Sequence, residues 1–163
     1  MTEWRALSDA DIVELANRLL SLDWSWQMSD VPELASQFGW QIQSVRPQSV
    51  ILDAGLGMAS GRVHGRDSRA EIVELAITTR AAEDAAGRTL VLDMFAWTTS
   101  VLTAALGEPS SRIPGELPEI RWAAEETTLR LMCLSATVRL FLVTNAWLTL
   151  HDETVELQEQ GLI

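Results

Sequence analysis

A chain of 163 residues, 47% of them hydrophobic, is long and apolar enough to bury one core of ordinary domain size without disulfide or metal staples, and the composition excludes disorder. All 12 basic residues are arginine and face 23 acidic ones, a net charge of −11. That balance argues against nucleic acid and against an anionic membrane surface, which both need clustered cations, and it fits a basic protein partner or solubility alone.

The N-terminal stretch from Met1 to Ala10 is polar and has no apolar signal core, and no apolar run approaches membrane-spanning length, so a cytoplasmic chain is expected. Ser8 followed by Asp11 resembles a capping box, and Ile12, Leu15, Ala16, Leu19 and Leu22 follow helical spacing, which predicts a helix over Ser8–Leu22. Asp30 and Pro32 open a short helix over Val31–Phe38, and Gly39 stops it.

From Trp40 the period changes. Strands are predicted from Trp40 to Val45, over Ser49–Ala54, over Ala59–His64 and over Ala70–Thr78, with turns at Arg46-Pro47-Gln48, Gly55-Leu56-Gly57 and Gly65-Arg66-Asp67-Ser68. Ala81–Gly87 reads as a polar linker and Arg88–Leu106 as a long helix. Leu90, Met94, Trp97 and Val101 form one line on it, widened by Val91, Phe95, Leu102 and Ala105. Gly107 and Pro109 end it, and Ser110–Pro118 reads as a loop.

Ile120–Ala123 is a candidate strand. Thr127–Leu134 and Thr137–Val143, separated by Ser135-Ala136, read as a central hairpin. The first of these runs is apolar on both faces, as in a strand covered on both sides. Cys133 lies inside it as a buried thiol with no possible internal disulfide. Asn145 can cap a last helix over Ala146–Gln158, although Trp147-Leu148-Thr149-Leu150 could also continue a strand. The predicted fold class is α+β: one domain over residues 1–163, with an antiparallel sheet of about five to seven strands packed against N-terminal, central (88–106) and C-terminal helices.

The chemistry-bearing motifs are weak. Gly55-Leu56-Gly57-Met58-Ala59-Ser60 comes close to a phosphate loop, but the residues after it look like strand, and the motif needs a helix there. His64 and His151 lie in no metal-ligand spacing. Ser60 is not in a nucleophile elbow, Cys133 has no electropositive setting, and the acidic pairs Glu83-Asp84, Glu125-Glu126 and Asp152-Glu153 suit a solvated surface better than acid–base work. No catalytic residue, metal ligand or cofactor is expected.

Tryptophan is the informative residue type. Trp97 and Trp122 are expected in the core, while Trp4, Trp24, Trp26, Trp40 and Trp147 sit near element ends, where an exposed ring could anchor a partner. The expected partner contacts are Trp26, Leu56, Arg66, Asp67, Glu83 and Asp84, on the protruding turns and the acidic linker.

The stretches Leu7-Ser8-Asp9-Ala10-Asp11, Phe38-Gly39-Trp40, Leu106-Gly107-Glu108-Pro109, Ile120-Arg121-Trp122 and Thr128-Leu129-Arg130-Leu131 together resemble a small actinobacterial family of unknown function. The element order is also similar to the α-β-β-β-α-β-β-α arrangement of type III secretion chaperones. Small acidic domains of this kind resemble bacterial immunity proteins, including those that neutralise NAD-glycohydrolase toxins. The resemblance implies a non-enzymatic protein binder, monomer or homodimer, directed at a secreted toxin. The alternatives are a secretion chaperone, or a small enzyme in which one of the histidines converges with a carboxylate.

Overall fold

A computed structural model describes residues 3–163; Met1 and Thr2, the start of the polar N-terminal stretch, lie outside them. The helices are α1 (Asp9–Leu20), α2 (Val31–Phe38), α3 (Ala85–Leu106) and α4 (Asn145–Glu159), with one 3-10 turn at Met28–Asp30. The strands are β1 (Gln41–Arg46), β2 (Ser49–Asp53), β3 (Gly61–Arg66), β4 (Arg69–Ala76), β5 (Ser111–Ile113), β6 (Glu119–Ala123), β7 (Thr127–Cys133) and β8 (Val138–Thr144). They form one antiparallel sheet of eight strands in the order β1-β2-β3-β4-β8-β7-β6-β5. Two four-stranded meanders, each preceded by a helix, thus meet edge to edge at β4 and β8.

The α+β class and the antiparallel sheet are as expected, but the sheet has more strands than the five to seven predicted. The added strand β5 falls inside the expected loop Ser110–Pro118 and pairs Ser111 with Arg121 and Ile113 with Glu119. Three exposed residues at a sheet edge are too short to carry a periodic signal. The last element is a helix, capped by Thr144, whose side chain accepts the Trp147 amide at 3.3 Å. Asn145, the expected cap, instead donates to the Ala124 and Glu125 carbonyls and accepts from the Thr128 hydroxyl, tying the helix start to β7.

Strand alternation separates two faces. Val50, Leu52, Val63, Val73, Leu75, Leu129, Leu131, Cys133, Val138, Leu140 and Leu142 point to one side and are buried. They are covered by Ile12, Ala16 and Leu19 of α1, Val31 and Leu34 of α2, and Val91, Phe95 and Leu102 of α3. Gly39, at φ +76°, closes α2 in the left-handed conformation expected of it, and the Trp40 amide returns to the Ala35 carbonyl.

The helix α3 starts at Ala85, three residues before the predicted Arg88, because Asp84 caps it through the Gly87 amide at 2.7 Å. Its buried line is Val91, Phe95, Thr98 and Leu102, three of them from the predicted widening of the stripe, and not the predicted central line through Trp97. Trp97 is 56% exposed and its indole nitrogen donates to Asp9 at 2.7 Å, whereas Trp122 is buried as expected. A helix apolar nearly all round does not say which line meets the sheet; packing against α1 and β7 selects it. By length and composition alone, α3 is the one helix among the described residues apolar enough to cross a membrane.

Candidate functional site

The second sheet face carries the polar residues of the same strands. Arg62 and His64 of β3, Glu74 of β4, Arg139 of β8, Arg130 of β7, and Glu119 and Arg121 of β6 all project to it, as the cross-strand pairs Arg62 with Glu74, Ala76 with Arg139, and Arg121 with Arg130 require. The helix α4 lies across one end of this face, with Arg130 under the Trp147 ring at 5.6 Å and Asp152 held by Arg121. The other end is open.

Under α4 the charges are matched. Glu119 accepts from Arg121 at 2.6 Å, from the Arg130 Nη2 at 3.0 Å and from the Arg130 Nε, and Arg121 forks onto the two Asp152 oxygens at 2.7 and 2.9 Å. Burial pushes the Glu119 carboxyl up, but the hydrogen bonds and charges of Arg130 and Arg121 outweigh it and hold the group below the usual carboxylate range. Asp152 is lowered by its Arg121 bonds. His151 stacks on Trp147 at 4.7 Å, and its pKa is lowered by burial and then by the Arg130 charge.

A cleft of 420 Å³ between α4 and the β3–β4 hairpin holds both histidines, His64 and His151, with Arg66, Ile72 and Leu150 also in its wall. His64 Nε2 lies 3.0 Å from Glu74 Oε1, and Glu74 also accepts from Arg139 at 2.7 Å. This is the histidine–carboxylate convergence that an enzyme reading calls for. Burial raises the Glu74 pKa, but the His64 hydrogen bond and the Arg139 charge together bring it below the usual range. Glu74 is thus held as a carboxylate between His64 and Arg139.

The open end of the face is a larger cleft of 660 Å³, bounded by the β2–β3 loop, the segment after β4 and the β7–β8 turn. Four arginines, Arg5, Arg62, Arg80 and Arg139, line it with a single carboxylate, Glu74. Arg139 spans its floor, from Glu74 to the Ala59 carbonyl at 3.1 Å. Ala59 itself stands at φ +58°, its amide held by the Gln43 side chain at 2.9 Å. The loop is a turn and not a phosphate cradle. The amides of Gly55 and Gly57 are already taken by the Asp53 carboxylate, at 2.9 and 3.2 Å, and a strand follows.

The expected contact residues fall at opposite ends of the β3–β4 hairpin. Leu56 lines the larger cleft. Glu83 is exposed beside Arg80 at 3.5 Å, and Asp84 is occupied as the cap of α3. At the far end, Arg66 and Asp67 are exposed on the hairpin tip, where Asp67 and Ser68 both take positive φ. Trp26 is half-buried against Trp24 with centroids 5.2 Å apart, and its carbonyl accepts the Ala70 amide. The Trp26–Gln27 backbone therefore braces the hairpin, and the ring packs on Trp24.

Sequence reading missed the arginines and carboxylates of the polar face. The visible signal was a charged residue in phase with Phe141 and Val143 at Arg139, and in phase with Met132 at Arg130. Which strands lie side by side, and hence which charges meet, was not visible.

No group of three or more His, Cys, Asp or Glu side chains among the described residues is placed to hold a metal ion. Cys133 is buried on the opposite, apolar face; burial raises its pKa against the opposing effect of Arg88.

A model of a family of unknown function, DUF6301, matches residues 10–144, from the start of α1 to the end of β8. The chain belongs to that family. The match takes in the sheet, α2, α3 and both charged groups except Arg5 and Asp152. No curated protein matches the chain, and no solved structure does.

Proposed function

We propose that the chain is a non-enzymatic protein-binding domain of the immunity type, which neutralises a cognate secreted toxin by covering its working surface. The observation that carries this reading is α4. It runs for 15 residues and buries only Leu148. Along it Leu150 and Leu157 are exposed one above the other with Glu153 at helical spacing from both, and Glu156 and Glu159 are exposed further round. An exposed leucine stripe with Glu153 at its side, on a helix that buries one residue, suits insertion into a groove of a basic partner. The leucines supply buried area, and the charges supply orientation and encounter rate.

The test is capture from native cytosol together with the product of the adjacent gene, followed by an activity assay on what is captured; NAD hydrolysis is the first assay, since the resemblance points to that toxin class. A folded toxin whose activity is suppressed is the expected result. Reversing Glu153 and Glu156 to Arg should weaken that inhibition at least tenfold without lowering the melting temperature, about 1.4 kcal/mol or more of binding. Capture of nothing, or of an enzyme that stays active, removes the immunity reading.

The second reading, a secretion chaperone, rests on the edge strand β1. It has six residues, five of them exposed, and could accept an extended segment by strand addition. A bulge between Ile42 and Ser44 interrupts that edge, which disfavours addition. A chaperone would bind an unfolded segment and leave a folded enzyme active.

A further inference from the structure

We propose that the open cleft at the end of the polar face is a binding site for a small phosphorylated molecule carrying a di- or triphosphate. The two charged groups on this face differ in their balance. Under α4, Arg121 and Arg130 face Glu119 and Asp152, two cations to two anions. In the cleft, four arginines face one glutamate. A chain with a net charge of −11 has carboxylates to spare for pairing, yet it places one here.

The cations are also free to act. Arg5 and Arg62 make no ion pair with the described residues, and Arg80 reaches only Glu83, at 3.5 Å between two largely exposed side chains. Glu74 is hydrogen-bonded to His64 and Arg139, and it meets its cross-strand neighbour Arg62 only as a weaker charge without an ion pair, so one carboxylate is shared among three basic side chains. An anion entering the cleft would therefore meet unmatched guanidinium groups, whose planar forks suit phosphate oxygens two at a time.

Size and lining narrow the ligand. A volume of 660 Å³ lies in the range of small-molecule sites and exceeds what one phosphate fills. Ser135 and Thr137 add hydroxyls to the wall. Leu56 and Met58, the latter 85% exposed, form an apolar lip on which a ring could lie. The phosphates would be held by side chains, since Asp53 occupies the amides of Gly55 and Gly57 and Gln43 that of Ala59.

The test is calorimetric titration of the full chain with inorganic pyrophosphate and, separately, with ATP, in a phosphate-free buffer at moderate salt. Saturable one-to-one binding of either probe is expected, weakened about tenfold by Arg62→Ala and by Arg80→Ala. Arg112→Ala, outside the cleft and paired only with Glu108 on the surface, should leave it unchanged. Tighter binding of ATP than of pyrophosphate assigns a role to the apolar lip; equal binding assigns recognition to the phosphates alone.

No saturable binding of either probe overturns the proposal, and so does equal weakening by Arg112→Ala, which would mean a diffuse charge effect. Should Arg62→Ala fail to fold, Arg80→Ala carries the test, because that side chain is largely exposed. The titration uses the chain alone, so its outcome is independent of whether a toxin partner exists.

Discussion

Glu119 has two guanidinium groups on one carboxylate, and both Glu119 and Arg130 are buried. Breaking such a group from one side leaves a charge in a poorly hydrated place, which costs more than the intact pair contributes. Glu119→Leu is expected to lower stability by about 3–5 kcal/mol, read as a shift in the urea midpoint at unchanged slope. The double variant Glu119→Leu, Arg130→Met removes both buried charges and should recover most of that loss. A double variant as unstable as the single one would mean that the pair is needed for the geometry of β6 and β7, and not only for charge balance.

Among the elements, α3 depends most on close backbone approach. Its first turn packs against Ala82, and a Cβ on Gly87 would stand 1.8 Å from the Ala82 carbonyl oxygen. The three nearest atoms are all Ala82 backbone, so no flexible side chain is there to yield. The same turn holds Arg88, which donates to the Leu134 and Glu116 carbonyls, both at 2.7 Å, and so joins the helix start to the β7–β8 turn and the loop before β6. Gly87→Ala should therefore destabilise by about 2–4 kcal/mol, although alanine is the better helix former. Thermal melting checks this; a melting temperature at or above that of the wild type would show that residues 81–84 can move aside at little cost.

At the scale of the molecule, the charged face makes stability depend on pH in one direction. Glu74, Glu119 and Asp152 have folded pKa values below their ordinary ones, so their contribution is fully present above the unfolded pKa and is lost as pH falls through the folded one. His151 is also lowered, so the unfolded chain takes up its proton first and the sign is the same. Urea midpoints should be level above neutrality, begin to fall near pH 6.5 as His151 would protonate, and fall more steeply below pH 4.5. A midpoint that rose on acidification would mean that repulsion within a chain of net charge −11 outweighs these pairs.

Local chemistry was enough for the elements whose signal lies within a few residues. The cap at Ser8, the Pro32 start and Gly39 stop of α2, the Ser135-Ala136 hairpin and the α+β class were all legible, because caps, turns and period-two alternation act over one or two turns of chain. The three-residue β5 was not, since it is a strand only through its pairing with β6. The buried line of α3 was legible in part: Val91, Phe95 and Leu102 lay in the predicted stripe, but its centre fell on Trp97, because both lines are apolar and only the neighbours α1 and β7 distinguish them.

The candidate site belongs to the second kind. Arg62, Glu74 and Arg139 are scattered over 78 positions, from 62 to 139, and meet because β4 pairs with both β3 and β8. Sequence alone determined that these strands carry charge on one face, through the alternation of side chains along an extended backbone. Only the tertiary structure decided which charges stand together, because strand order is set by the packing of the opposite, apolar face, and the polar residues follow wherever that packing takes them.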